Sequence, residues 1–153
     1  MTVFADTSAI VKLYADEVGS EMVRSLEAVT VSQLCRVEVP AALWRKSRTN
    51  GLPASDTLIL VRLFENDLFG ADAVLAPIRI TSGILDDAAR LTEIHGLRAY
   101  DAVQLATAKV AREVDSDCRS MAAFDFQLRT ASARAGFLLI PAELNHPPVG
   151  SVQ

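Results

Sequence analysis

Cysteine is nearly absent: Cys35 and Cys118 are the only two, and neither belongs to a Cys-x-x-Cys pair. That excludes a disulfide framework and a paired-thiolate zinc site, and both thiols read as reduced, as in a cytosolic protein. Histidine is as scarce. His95 closes a predicted helix and His146 lies in the tail, so a histidine-activated nucleophile has no base. No apolar run reaches the ~20 residues of a membrane helix. The N-terminus shows no basic segment leading into an apolar one. The expectation is a cytoplasmic protein with no membrane contact. There is no Walker loop, no Gly-x-Gly-x-x-Gly and no Gly-x-Ser-x-Gly. Positive charge is not in excess either. A net charge of -4 argues against a protein that simply coats nucleic acid. It leaves room for a nuclease, because clustered carboxylates are what divalent cations require.

What the chain does have is apolar residues, half of the total, with a mean hydropathy of +0.25. A chain of this length buries roughly two-thirds of its unfolded surface, enough for a core without staples. The expectation is one domain over 1–142 and a loose tail over 143–153, where two prolines and a glycine follow Asn145.

The pattern of elements alternates. Val3-Phe4-Ala5 is a short apolar strand ending in Asp6, and Ala9 to Tyr14 is helical. A short helix over Ser20–Leu26 leads to a β-branched strand, Val29-Thr30-Val31. Ser32 to Arg48 is helical, with Leu34, Val37, Ala41 and Trp44 expected on the buried face and cations at its end. Pro53 opens a helix to Phe69 that is apolar on more than one side. Ile78–Thr81 is the third strand. A helix marked by Ile84, Ala88, Leu91 and Ile94 ends at Gly96. Ala102–Glu113 is a further helix, Met121–Phe124 a strand, Phe126–Ala135 a helix and Phe137–Ile140 the last strand. Strands alternating with helices predict an α/β sandwich around a mostly parallel sheet.

Four acids stand in unusual places. Asp6 and Asp125 each follow an apolar strand. Glu38 sits between Val37 and Val39 inside an apolar stretch. Asp101 opens an apolar helix. Asp6 and Asp125 also suit helix caps, Asp101 suits a helix dipole, and Glu38 has Arg45 two turns away as an ion-pair partner. The four together are more informative than any one, because carboxylates are rarely buried unless paired or bound to metal. In open parallel sheets, sites lie beyond the carboxyl ends of the strands, where Asp6 falls. Clustered carboxylates repel one another and favour a divalent cation, and oxygen donors without His or Cys suit Mg2+ or Mn2+. Such an ion activates water and neutralises phosphate charge, so phosphodiester hydrolysis matches these parts best.

Asp6-Thr7-Ser8 after Val3-Phe4-Ala5, Glu38 in Leu34-Cys35-Arg36-Val37-Glu38-Val39, and Tyr100-Asp101-Ala102-Val103-Gln104-Leu105-Ala106-Thr107-Ala108 resemble the PIN-domain ribonucleases. Among these the chain is most similar to the VapC toxins of toxin–antitoxin pairs. The likeness runs from Val3 to Ile140, and Lys12-Leu13-Tyr14 with Glu17 and Gly19-Ser20 fits the family's first turn. The resemblance implies a PIN-like three-layer sandwich whose five parallel strands run in the order 3-2-1-4-5. It implies a Mg2+- or Mn2+-dependent endoribonuclease with Asp6, Glu38, Asp101 and Asp125 as its acidic quartet. Asp6, Asp101 and Asp125 would be the metal ligands, and the hydroxyls of Thr7 and Ser8 would hold a metal-bound water. It further implies an RNA substrate, a homodimer, and a cognate antitoxin lying across the active-site groove. The chain departs from the family at Ala123, where Thr or Ser is frequent, at Phe126-Gln127, where basic residues are frequent, and at Gln104, where many relatives have His. Lys12, Arg36, Arg45 and Arg98 are candidate phosphate contacts. The competing readings are a non-catalytic binding protein of the same fold and a metal-dependent phosphatase or DNA nuclease.

Overall fold

The computed structural model of the protein describes residues 1–144. His146 and the tail from 145 onward lie outside the described residues. In chain order the elements are β1 (Thr2–Ala5), α1 (Thr7–Tyr14), α2 (Ser20–Arg24), β2 (Ala28–Ser32), α3 (Cys35–Thr49), α4 (Ala54–Phe69) and β3 (Leu75–Ile78). They continue with α5 (Ser82–His95), α6 (Ala99–Val114), β4 (Ser120–Ala122), α7 (Phe126–Arg134) and β5 (Leu138–Ile140).

The five strands form one sheet in the order β3-β2-β1-β4-β5, with every neighbouring pair parallel. That is the expected order. A parallel sheet is covered on both faces, which is why β1 reads as an unbroken apolar run. Successive side chains of β1 point to opposite faces. Val3 and Ala5 join one core with Ile10, Val39, Leu43 and Phe64, from α1, α3 and α4. Phe4 joins the other with Leu91, Leu105, Met121 and Leu128, on the side of α5, α6 and α7. The result is three layers with β1 at the centre, its partners β2 and β4 on either side.

Several local expectations are corrected. On α3 the buried row is Cys35, Val39 and Leu43, and Val37 is 71% exposed rather than inward. Both rows have helical spacing, so periodicity alone is degenerate, and the row facing β1 and α1 is the buried one. The third strand is Leu75–Ile78, three residues earlier than Ile78–Thr81. The strand takes in Pro77, a residue without an N–H, which an edge strand such as β3 tolerates. In α5, Ile84, Ala88 and Leu91 are buried as expected, while Ile94 is exposed. Gly96 closes that helix in the left-handed region, φ 64°. Helix α6 begins at Ala99 rather than Ala102, which places Tyr100 and Asp101 in its first turn.

Candidate active site

Asp6 stands directly after β1 and Asp125 shortly after β4, and each is the N-cap of the helix that follows. Asp6 Oδ1 accepts from the Ser8 hydroxyl at 2.6 Å and from the Ala9 amide at 3.2 Å. Asp125 Oδ2 accepts from the Leu128 amide at 3.0 Å. Capping uses one oxygen of each carboxylate, so being a cap and being a site residue are compatible. Glu38 lies in the first turn of α3 and Asp101 in the first turn of α6. All four acids line one cleft of about 480 Å³ at the carboxyl ends of β1 and β4. The sheet topology brings them together: β1 and β4 are neighbours, and α3 and α6 both begin at that end.

The charges in this cleft are poorly balanced. Asp6 is 4% exposed, and burial, with the Asp101 charge adding to it, pushes its carboxyl up to about 7 against the bonds from Ser8 and Ala9. Burial also raises the Asp101 carboxyl, helped by the charges of Asp125 and Glu38 and opposed by Arg98. The Arg98 guanidinium stands between two acids, 3.4 Å from Asp101 Oδ2 and 3.6 Å from Asp125 Oδ1. Its side chain is 74% exposed, and exposed pairs of this kind are worth about 0–1 kcal/mol each.

Glu38 is held from two sides. Its Oε1 accepts from the Thr7 hydroxyl at 2.9 Å and from Gln104 Nε2 at 2.9 Å. Gln104 Nε2 also lies 3.3 Å from Thr7 Oγ1. Gln104 Oε1 is buried without a hydrogen-bond partner among the described residues. Gln104 is one helical turn beyond Asp101 on α6, so the i, i+3 spacing was the signal that it shares the acids' face. Ser8 ties Asp6 to the chain just beyond β4: its hydroxyl donates to Asp6 and accepts from the Phe124 amide at 2.9 Å, one residue before Asp125.

The candidate phosphate contacts divide. Lys12 is buried, donating to Glu17 Oε1 at 3.1 Å and to the Val18 carbonyl at 2.7 Å, with its ammonium 4.3 Å from the centre of the Phe124 ring. It is committed to structure. Arg36 stacks on Phe69, away from the cleft. Arg45 does not pair with Glu38, whose partners are Thr7 and Gln104; it lines the cleft and is exposed. Arg98 lines it too. Sequence reasoning missed the role of Glu17, which takes both Lys12 and Lys46. Burial works to raise the Glu17 carboxyl, but the bonds from Lys46 and Lys12 outweigh it and hold it below the usual range.

In donor chemistry the residues suit a hard cation: the acids of the cleft are carboxylates that raise one another's proton affinity. As they stand, no three Asp, Glu, His or Cys side chains among the described residues are gathered closely enough to hold an ion together. The reason is visible in the bonds. Asp6 is turned to its cap, Glu38 to Thr7 and Gln104, and Arg98 sits between Asp101 and Asp125.

The PIN domain family model matches residues 3–123. Ribonuclease VapC45 and Ribonuclease VapC49 of Mycobacterium tuberculosis are each 33% identical over 147 residues, 94% of this chain and 97% of theirs. Among solved structures, that of M. tuberculosis VapC20, described as a sarcin-ricin loop cleaving toxin, has a TM-score of 0.60 at 16% identity, covering 88% of this chain and 95% of that one. A toxin–antitoxin complex from Klebsiella pneumoniae gives 0.53 at 15% identity, covering 80% and 86%. At these identities the structural likenesses speak to the fold alone. No described helix is long and apolar enough to cross a membrane.

Proposed function

Because the chain belongs to the PIN-domain family, in its VapC ribonuclease branch, we propose that it is a Mg2+- or Mn2+-dependent endoribonuclease and the toxin of a toxin–antitoxin pair. The observation that carries this reading is four carboxylates lining one cleft with a single exposed arginine between two of them. Asp6, Asp101 and Asp125 would hold the ion. When bound, the ion supplies Lewis acidity to the phosphate and to the entering nucleophile. Glu38, fixed by Thr7 and Gln104, orients the attacking water and takes its proton. Arg98, exposed beside Asp101 and Asp125, holds positive charge at the mouth of the site. An RNA substrate, a cognate antitoxin and a homodimer belong to the same proposal, and family membership supports them. Leu58, Ile59, Leu63 and Phe69 leave α4 with an exposed apolar face that suits a protein partner.

The test is cleavage-site mapping on total RNA with and without Mg2+, beside the Asp6→Asn chain. Metal-dependent cuts that vanish in the variant are expected; full activity in the variant would remove Asp6 from the mechanism. A second reading has one observation in its favour, that the acids are not gathered into a three-donor set as they stand. A binding protein of the same family would hold RNA and never cut it. RNA, DNA and small phosphate esters offered in parallel with Mg2+ or Mn2+ separate these outcomes.

A further inference from the structure

The cleft does not end at the acids. A groove of about 420 Å³ opens from it along α3, lined by Leu34, Val37, Ala41 and Ala42 and closed by Tyr100. It shares Thr7, Glu38, Ala42 and Arg45 with the acidic cleft. Tyr100 also lines a smaller depression of about 250 Å³, with Glu38, Arg98 and Asp101. Tyr100 thus borders two recesses next to the acids, adjacent to Asp101 in the chain, with 64% of its surface exposed. It takes no part in either core.

The cations around the cleft sharpen the picture. Lys12 and Lys46 are spent on Glu17, and Arg98 on Asp101 and Asp125. Arg45 is exposed and in no ion pair among the described residues. An uncommitted guanidinium, an exposed aromatic ring and an apolar floor share one groove that joins a phosphate-cleaving site. That combination matches the repeating unit of a single-stranded nucleic acid, a flat base followed by an anionic phosphate.

We propose that the groove between α3 and the start of α6 is a nucleobase subsite: a base flanking the cut phosphate stacks on Tyr100, and Arg45 meets the next phosphate. This rests on the ribonuclease reading for its substrate. Tyr100 is then a specificity-determining residue, because the apolar floor of the groove limits which base fits beside the ring.

The experiment uses the full chain carrying Asp6→Asn, with Mg2+ present, and six-nucleotide RNAs in which 2-aminopurine is moved one position at a time. Quenching at one position marks the stacked base. Adding Tyr100→Ala is expected to abolish that quenching and weaken binding by about 5- to 150-fold, the span of one lost stack. Tyr100→Phe keeps both. Arg45→Gln reduces the slope of log affinity against log salt by about 0.7, one phosphate of a single strand. In the otherwise wild-type chain, Tyr100→Ala loosens the base preference next to the cut. Unchanged affinity, quenching and cut pattern in Tyr100→Ala would overturn the proposal. So would loss of a protein partner's binding with RNA affinity intact, which would give the groove to a protein. Tyr100-dependent stacking without cleavage under any metal would sink the ribonuclease reading and leave the subsite standing.

Discussion

Two ends of one cleft treat negative charge in opposite ways. At one end Glu17 receives two lysines, Lys12 and Lys46, and its carboxyl is held below the usual range. At the other, Asp6, Glu38, Asp101 and Asp125 have one exposed arginine between two of them, and Asp6 and Asp101 are pushed up. The same chain that gives one acid two paired cations gives four acids of the same cleft one paired arginine. Glu17 ties the end of α1 to α3 and closes the turn before α2, so its charge serves the fold. The raised carboxyls of Asp6 and Asp101, once ionised, work against the fold, and an outside cation would relieve them.

The comparison can be broken most severely at Asp6. Asp6→Asn should lower metal-dependent RNA cleavage by at least about 10²-fold, since an ion ligand is lost; a quantitative cleavage assay on a mapped RNA reads this. The same variant should gain stability at pH 8. Burial raises the folded-state pKa of Asp6 from 3.8 to about 7, so its ionised form disfavours the fold. Its contribution is most favourable below the unfolded value of 3.8 and is lost as pH rises through about 7. Denaturant unfolding in EDTA should therefore find the variant more stable than wild type at pH 8, by up to about 4 kcal/mol. The gap should close towards pH 4. A gap that does not change with pH would mean that Asp6 is not strained by its charge.

Gly19 tests the opposite end. It lies at φ 94°, and a Cβ there would come 2.7 Å from the Phe124 ring, the ring beneath the Lys12 ammonium. Gly19→Ala should cost about 1–3 kcal/mol and disturb Asp125 through its neighbour Phe124. Thermal unfolding measures the first effect, and cleavage rate the second. Glu17→Gln is the smallest change. It should cost about 1 kcal/mol at pH 7, the scale of a partly exposed pair. Because the folded-state pKa of Glu17 is lowered from 4.5, its stabilisation is present above that value and lost on acidification. The Glu17 and Asp6 variants should thus show opposite pH trends in the same unfolding assay.

The order of elements, the parallel sheet and the placing of four acids at its carboxyl edge were legible from short patterns. An apolar triplet ending in Asp6 carries its own address, because a covered strand must be apolar and the next residue must cap a helix. The buried face of α3 was not legible. Leu34, Val37, Ala41 and Trp44 repeat as well as Cys35, Val39 and Leu43, and only the neighbouring β1 and α1 decide between them. Nor was the fate of the cations. Lys12 looked free to meet phosphate, yet the turn at Gly19 folds Glu17 and the Val18 carbonyl back onto it. Gln104 stands out in the sequence only as a departure from the family's frequent His; that it grips Glu38 depends on two helices meeting at residues 66 positions apart. Local pattern finds residues that end an element. It does not find partners that only tertiary folding supplies.

The acids around Asp6 are short of a cation, and Glu17 is not. Calorimetric titration of Mn2+ into wild type, Asp6→Asn and Glu17→Gln tests this most directly. Saturable binding to wild type is expected, lost in Asp6→Asn and kept in Glu17→Gln. No binding to wild type, or binding that survives Asp6→Asn unchanged, would contradict it.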